Sequence, residues 1–193
     1  MVTVQNLIMR YGSRVLFQDI NLKLDRHKRY GLIGANGAGK TTFLKILSGQ
    51  INEYEGDIRV APGLKVGVLG QNQFAFENFT IMDAVLYGNK RLYDAIKEKE
   101  ELYMTGDFED DATNNRLADL EVICVEEDPT YEYDVNIAKI LANVGIPVEE
   151  HNQLMSTLDS ADKFKVLLAQ VLYPKPDVLF LDEPTNNLDI ETI

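Results

Sequence analysis

Residues 34–41 combine glycines, a lysine and a threonine at a spacing that suits phosphate binding. The segment reads Gly-Ala-Asn-Gly-Ala-Gly-Lys-Thr and lies between a predicted strand and a predicted helix. Glycines allow successive backbone N–H groups to wrap a phosphate, and the N-terminus of the following helix adds partial positive charge. Lys40 can reach β and γ oxygens, and Thr41 can ligate magnesium. A chance glycine-rich turn is the alternative, and the flanking elements argue against it. The predicted nucleotide-binding residues of this loop are Gly34, Ala35, Asn36, Gly37, Ala38, Gly39, Lys40, Thr41 and Thr42.

A pair of adjacent acids supplies the second half of such a site. Asp182 and Glu183 follow the apolar run 178–181. Asp182 would hold magnesium, usually through water, while Glu183 would position and activate water for in-line attack on the γ-phosphorus. An apolar strand that ends in Asp-Glu is common by itself. Together with the phosphate loop it predicts hydrolysis of a nucleoside triphosphate, with Lys40 and Glu183 as catalytic residues.

Short strands and one helix must position these groups. The region 41–47 places four apolar residues on one helical stripe, and Gly49 lies where a left-handed helix cap would end it. The apolar run 178–181 is bounded by helix breakers and predicts a strand buried on both faces. The other predicted strands are 2–9, 20–24, 29–33, 57–60 and 64–69.

The chain becomes helical after Gln73. Thr80 can cap a helix that starts at Ile81, and helical spacing continues to Tyr103 among many charged residues. A second helical pattern follows the break at 105–111, so the segment of about 84–128 predicts an inserted helical hairpin. Two further helical patterns are predicted at 137–144 and 160–172.

Composition limits the class of protein. The chain has 193 residues, 45% of them apolar, which is enough for one domain with an insertion. Its net charge is −12, which argues against broad electrostatic binding of nucleic acid, although residues 1–66 carry +5 and the remainder −17. Cys124 is the only cysteine, which excludes an intramolecular disulfide and a cysteine-based zinc cluster. Because neither a signal peptide nor a run of about 18 apolar residues occurs, we expect a soluble, cytoplasmic protein without a transmembrane segment.

The motifs together resemble those of ATP-binding cassette (ABC) ATPases. The segment 181–189, Leu-Asp-Glu-Pro-Thr-Asn-Asn-Leu-Asp, is similar to that of the ABC-F class. The resemblance implies an α/β P-loop NTPase of ABC ATPase type, with an antiparallel β subdomain and an inserted helical arm. It further implies that residues 1–193 form a nucleotide-binding domain incomplete at its C-terminus, with a helical subdomain at about 130–172. ATP and Mg²⁺ are the implied cofactors, and ATP hydrolysis is the implied activity.

Three further residues take roles from this resemblance. Tyr11 resembles the aromatic residue that stacks on adenine, and a core tyrosine at a strand end is the alternative. Gln71 resembles the glutamine that contacts magnesium and the attacking water, with Gln73 as the rival assignment. Asp189 resembles the aspartate that communicates between two cassettes, and a simple surface turn is its alternative.

The signature segment departs from the family pattern. Where ABC ATPases have Leu-Ser-Gly-Gly before a helix, residues 155–162 read Met-Ser-Thr-Leu-Asp-Ser-Ala-Asp. Ser156 keeps a hydroxyl donor, but Leu158 and Asp159 would obstruct or repel a γ-phosphate. Such a glycine-poor signature is a feature of the YbiT-like branch of ABC-F proteins. Because signatures act on the opposite cassette, the Lys40 pocket is expected to bind Mg-ATP. Hydrolysis is expected to be poor without the second cassette and the switch histidine, which would lie beyond Ile193.

The resemblance leaves three functions open. The first is an ABC-F ATPase that acts on translation, with the ribosome as its partner, and the second is the ATP-binding subunit of an ABC membrane transporter. The third is a binding-only regulatory cassette. The 84-residue separation of Gln71 and Met155 is longer than in transporter cassettes. It fits an arm that reaches toward the ribosome, and an enlarged helical subdomain is the alternative. The acidic charge of this segment favours protein contacts over a broad phosphate grip.

Overall fold

The structure is a computed structural model and describes residues 2–70 and 74–184. The chain forms two compact units. The first comprises the described residues of Met1–Gln71 together with Pro176–Pro184, and the second comprises those of Asn72–Lys175.

The first unit contains a three-stranded antiparallel sheet and a helix. Strand β1 (Val2–Tyr11) is central and pairs with β2 (Arg14–Leu24) on one side and β3 (Glu55–Val60) on the other. The buried apolar residues of β1 alternate with a strand period on either side of a register shift between Val4 and Leu7. One face of the sheet packs on helix α1 (Lys40–Leu47). The buried core of this unit consists of Val2, Val4, Leu7, Met9, Phe43, Ile46, Leu47 and Phe180.

A separate two-stranded parallel sheet carries the acidic pair. Strand β4 (Val66–Leu69) pairs in register with β5 (Val178–Leu181). The Asp177 carboxylate accepts a hydrogen bond from the Lys65 backbone N–H at 2.9 Å and braces the start of the pair. Burial of β5 on both faces was predicted and is wrong, because Phe180 is buried whereas Leu181 is 37% exposed. The described residues pair β5 with β4 alone, and two strands cover little surface.

The strand predicted at residues 29–33 is absent from the described structure. This segment has no regular secondary structure, and Ile33 is 95% exposed. A strand requires a hydrogen-bonding neighbour, and neither sheet of the described residues includes this segment. The apolar residues of this segment favour a strand, but the described residues provide no neighbouring strand with which it pairs.

The second unit is helical. Its helices are α2 (Ile81–Leu86), α3 (Lys90–Thr105), α4 (Asp111–Glu127), α5 (Tyr133–Asn143) and α6 (Ser160–Leu172), with 3₁₀ turns at Val148–Glu150 and Met155–Thr157. The predicted cap is confirmed, since the Thr80 side chain accepts the Asp83 N–H at 3.1 Å. The helical spacing after Ile81 did not reveal the break at 87–89. At this break a Cβ on Gly88 would lie 2.0 Å from the Gln170 carbonyl oxygen, so α6 approaches too closely for any side chain.

Helices α3 and α4 form an antiparallel pair with ion pairs along its length. Arg116 near the start of α4 makes a bidentate contact with Glu98 of α3 at 2.6 and 2.7 Å. Further along, Lys99 bonds Glu121, and Arg91 contacts the acids at the C-terminal end of α4. The core of the unit lies between α2, α3, α4, α5 and α6 and includes Ile81, Leu92, Leu120, Ile137, Leu141 and Val166.

Candidate nucleotide-binding site

The glycine-rich loop contains two glycines with positive φ, Gly37 and Gly39. Helix α1 begins at Lys40, and the residue before it, Gly39, has φ = 96°, which favours glycine. A Cβ on Gly39 would also lie 2.8 Å from two carbon atoms of the Leu16 side chain. Gly37 also has a positive φ of 77°, but the space around it is open. The loop before α1 therefore needs Gly39 for both conformation and packing.

Lys40 folds over its own loop. Its Nζ donates to the carbonyl oxygens of Gly34 at 2.9 Å and Ala35 at 3.3 Å. A further hydrogen bond joins the Ala38 N–H to the Ala35 carbonyl and tightens the turn. Because α1 starts at this lysine, the positive end of its dipole and the ammonium lie together. The loop thereby concentrates positive charge and N–H donors beside one cavity, which is an arrangement suited to an anion.

The cavity beside this loop has a volume of about 310 Å³, within the range of small-molecule sites. Tyr11 lines it and is 56% exposed, so it is not a core tyrosine. Leu16 also lines the cavity, although sequence reasoning did not select it. Its position five residues after Tyr11 on the following strand was the available signal. The other lining residues are Asn36, Gly37, Gly39, Lys40, Thr41, Thr42 and Glu183.

The acidic pair follows β5 directly. Asp182 is partly buried, and its N–H donates to the Leu69 carbonyl at 3.3 Å, which extends the pairing with β4 by one residue. Glu183 has φ = 50°, an uncommon value for a residue with a side chain. A Glu183 carboxylate oxygen lies 3.9 Å from the Lys40 Nζ. The end of β5 and the start of α1 therefore place a carboxylate and an ammonium at one cavity.

Several predicted site residues cannot be placed in this geometry. Gln71, its rival Gln73 and Asp189 lie outside the described residues. The carbonyl oxygens of Gly34 and Ala35 hold Lys40, and the N–H of Ala38 bonds Ala35. Asp182 lies next to the lining residue Glu183.

The signature segment belongs to the helical unit. Ser156 is exposed within the 3₁₀ turn, and its N–H donates to the Glu77 carbonyl. Asp159 caps α6, because its carboxylate accepts the Asp162 N–H at 2.8 Å. An aspartate side chain thus occupies one of the helix N–H donors that a bound anion would use.

The chain is similar to known proteins over most of its length. The profile of the ABC transporter family matches residues 17–186. The chain belongs to the ABC transporter family. A solved inward-facing structure of a metal-chelate type ABC transporter superposes with a TM-score of 0.66 over 99% of this chain and 63% of that chain. Its sequence identity is 21%, so it shows the fold alone. This ABC chain is therefore an ATP-binding cassette with mixed α and β structure.

Curated relatives match all or nearly all of this chain. "Uncharacterized ABC transporter ATP-binding protein YkpA" of Bacillus subtilis is 45% identical over all of this chain and 35% of its own length. "Probable ATP-binding protein YbiT" of Escherichia coli O157:H7 is 44% identical over 36% of its length. "Energy-dependent translational throttle protein EttA" of Haemophilus influenzae is 32% identical over 94% of this chain and 33% of its own length. The cassette thus spans about a third of the length of these relatives.

The helices of the cassette are short or polar. None of those within residues 2–70 and 74–184 is long and apolar enough to cross a membrane.

Proposed function

We propose that this cassette binds ATP with Mg²⁺ and hydrolyses it as part of an ABC-F type protein. The observation that carries the proposal is the cavity of about 310 Å³ that Tyr11, Lys40, Thr41 and Glu183 line together. An aromatic side chain, a cation, a hydroxyl and a carboxylate are the groups that adenine, phosphates, Mg²⁺ and an attacking water require.

The residues divide these tasks by their chemistry. Tyr11 presents an exposed ring that can stack on a base, and the loop N–H groups with Lys40 can hold the phosphates. Glu183 orients a water molecule toward the γ-phosphorus and accepts a proton from this water as it attacks. Lys40 stabilises the negative charge that accumulates on the phosphate oxygens during the displacement.

The oxygen donors near the loop fit a magnesium ion. Thr41 lines the cavity, Asp182 follows β5, and Mg²⁺ prefers one or two such ligands together with phosphate oxygens. The described residues contain no cluster of three or more His, Cys, Asp or Glu side chains that could hold a metal without phosphate. We therefore assign Thr41 and Asp182 as residues that would hold Mg²⁺. The family resemblance adds Gln71, which lies outside the described residues. The ion would neutralise phosphate charge when bound.

We further propose that this chain alone hydrolyses ATP slowly. ABC cassettes act as dimers. Because this chain spans about 35% of YkpA, YkpA contains additional sequence that can complete an ATP-hydrolysing site. We expect this chain to bind ATP and to hydrolyse it far more slowly than the full-length protein does. Equal turnover per cassette would refute this part of the proposal.

The process that we propose is translation, through a partner on the ribosome. The support is the relative EttA, whose name describes a translational throttle, together with similarity to two ABC transporter F family members of Arabidopsis thaliana. The antiparallel pair of α3 and α4 is the element that we propose to serve as an arm. The runner-up is the ATP-binding subunit of a membrane transporter, which the family description and the name of YkpA favour.

Trapping of the full-length protein separates these two functions. Glu183→Gln should retain ATP binding and block hydrolysis, so the protein stays with its partner when ATP is present. Sedimentation through a sucrose gradient should then place the variant with ribosomes. Glu53→Gln is the matched control, since it makes the same chemical change at an exposed position of the first unit. Recovery of Glu183→Gln with a membrane complex would support the transporter instead.

A further inference from the structure

A second cavity lies within the helical unit, among α3, α4 and the segment that leads into α5. Its volume is about 180 Å³. Leu92, Ile96 and Cys124 supply apolar lining, and Leu92 and Cys124 are 1% and 5% exposed. The tyrosines that line it are Tyr103, Tyr131 and Tyr133. The cavity therefore combines a buried apolar part with aromatic side chains that reach the surface.

Asp128 contributes a buried carboxylate to this cavity. The residue is 8% exposed, and it accepts hydrogen bonds from two uncharged donors, the Tyr133 N–H at 2.9 Å and the Thr130 hydroxyl at 3.5 Å. Among the ion pairs formed within residues 74–184, none includes Asp128. A buried carboxylate is costly unless a positive charge compensates it, so this group favours a cation in the cavity.

The basic residues close to the cavity are already bonded to other acids. Lys99 lines the cavity, but its ammonium bonds Glu121, which also accepts the Tyr131 hydroxyl. Glu100, a further lining residue, accepts from Lys97. Lys97, Lys99, Glu100, Glu121 and Asp128 together carry a formal charge of −1.

The residues around the cavity also carry a net negative charge. Residues 84–133 contain five basic and fourteen acidic residues. All five basic side chains, those of Lys90, Arg91, Lys97, Lys99 and Arg116, are in ion pairs. The helical pair thus has negative charge in excess of what its own cations balance, and it attracts cations toward the cavity.

We propose that this cavity binds a primary ammonium on a short apolar stem. At about 30 Å³ for each water-sized group, 180 Å³ holds about six such groups, which matches an ammonium with four or five carbons. The stem contacts Leu92 and Ile96, and the ammonium lies near Asp128 and the tyrosine rings, which attract cations through their faces. Burial raises the pKa of the Cys124 thiol, so this lining group stays neutral.

Titration of the chain with n-butylammonium chloride tests the site. Amide ¹H–¹⁵N NMR spectra should show saturable shifts at Cys124, Asp128 and Tyr133, with affinity on the order of millimolar for so small a ligand. Sodium chloride at equal ionic strength controls for screening. The neutral analogue n-butanol, which has the same number of non-hydrogen atoms, should bind at least about tenfold more weakly. Equal binding of n-butanol, or the same shifts with sodium chloride, would overturn the proposal.

Substitutions locate the interaction. Asp128→Asn keeps the shape and a hydrogen-bond acceptor but removes the charge, and it should weaken n-butylammonium binding at least about tenfold. Asp119→Asn is the matched control, because it makes the same change at an exposed position of α4 and should leave the affinity unchanged. Tyr131→Ala removes a 54% exposed ring and should weaken binding about threefold in a folded protein. Unchanged affinity in either cavity variant would contradict the assignment.

Two peptides identify the source of the ammonium. Acetyl-Gly-Lys-Gly-amide and its norleucine counterpart differ only in the terminal ammonium of the side chain. Preferential binding of the lysine peptide at the same amides would support the lysine side chain of a partner protein as the ligand. Binding of n-butylammonium without binding of this peptide would support a free alkylamine, and binding of neither would refute the site.

Discussion

Gly39→Ala tests whether the glycine-rich loop is held by its contact with β2. The added Cβ would lie 2.8 Å from Cγ and Cδ2 of Leu16, and the backbone already has φ = 96°. The positive φ costs about 1–2 kcal/mol for alanine, and overpacking a filled site costs about 1–3 kcal/mol more. We therefore expect the free energy of unfolding to fall by about 2–5 kcal/mol.

Gly37→Ala isolates the conformational part of this effect. Gly37 also has a positive φ, 77°, but a Cβ added there would have no atom within 4 Å other than those of its chain neighbours. Gly37→Ala should therefore lower the free energy of unfolding only by the backbone strain of about 1–2 kcal/mol. Urea unfolding followed by far-UV circular dichroism measures both variants, provided that the slope with denaturant is unchanged.

A double-mutant cycle then assigns the remainder to Leu16. Combining Gly39→Ala with Leu16→Ala should recover about 1–3 kcal/mol relative to the sum of the single effects. The same cycle with Gly37→Ala should give a coupling below about 0.5 kcal/mol. A coupling near zero for Gly39 and Leu16, or equal destabilisation by both glycine variants, would refute the packing argument.

Three further results are expected. Lys40→Met removes the ammonium beside the loop and should weaken ATP binding about 10- to 100-fold by calorimetry, without loss of helical circular dichroism. Gly88→Ala places a methyl group 2.0 Å from the Gln170 carbonyl and should lower the free energy of unfolding by about 3 kcal/mol in urea. Arg116 hydrogen-bonds Glu98 and lowers its pKa below the ordinary 4.5, so the stability from this pair is present above pH 4.5 and is lost as the pH falls through the folded-state pKa. Urea unfolding between pH 6 and 3 should therefore show a shallower loss of stability in Glu98→Gln.

Local chemistry was the most predictable part of the fold. The Thr80 cap is a contact between residues three apart, and α6 follows an apolar pattern with its own Asp159 cap, so sequence alone places both. The break at Gly88 depends on the Gln170 carbonyl, which is 82 residues away in sequence, and the local pattern contains no sign of it. Apolar residues in segment 29–33 favour a strand, but pairing depends on a neighbour that periodicity does not identify.

In the candidate site, too, the residues of local motifs were predictable and the long-range contacts were not. The glycine spacing and the Asp-Glu pair come from short motifs, and the described structure places Lys40 and Glu183 at one cavity. The sequence did not predict Leu16 as a lining residue, because an aliphatic residue on a strand has no chemical property that marks it as part of a site. Its role under Gly39 arises from the packing of β2 against the loop, which is a long-range contact.

The pairing of β4 with β5 has a consequence for synthesis of the chain. Lys65 and Asp177, which brace the start of this pair, are 112 residues apart in sequence. At about 5–20 residues per second, roughly 6 to 22 s pass between synthesis of the two residues. During this interval β4 has no β5 beside it, while the intervening helical residues, which have their own hydrophobic core, can already fold. Strand β5, which Asp182 and Glu183 follow directly, is thus added late, and the site that contains this acidic pair forms only after most of this chain has been translated.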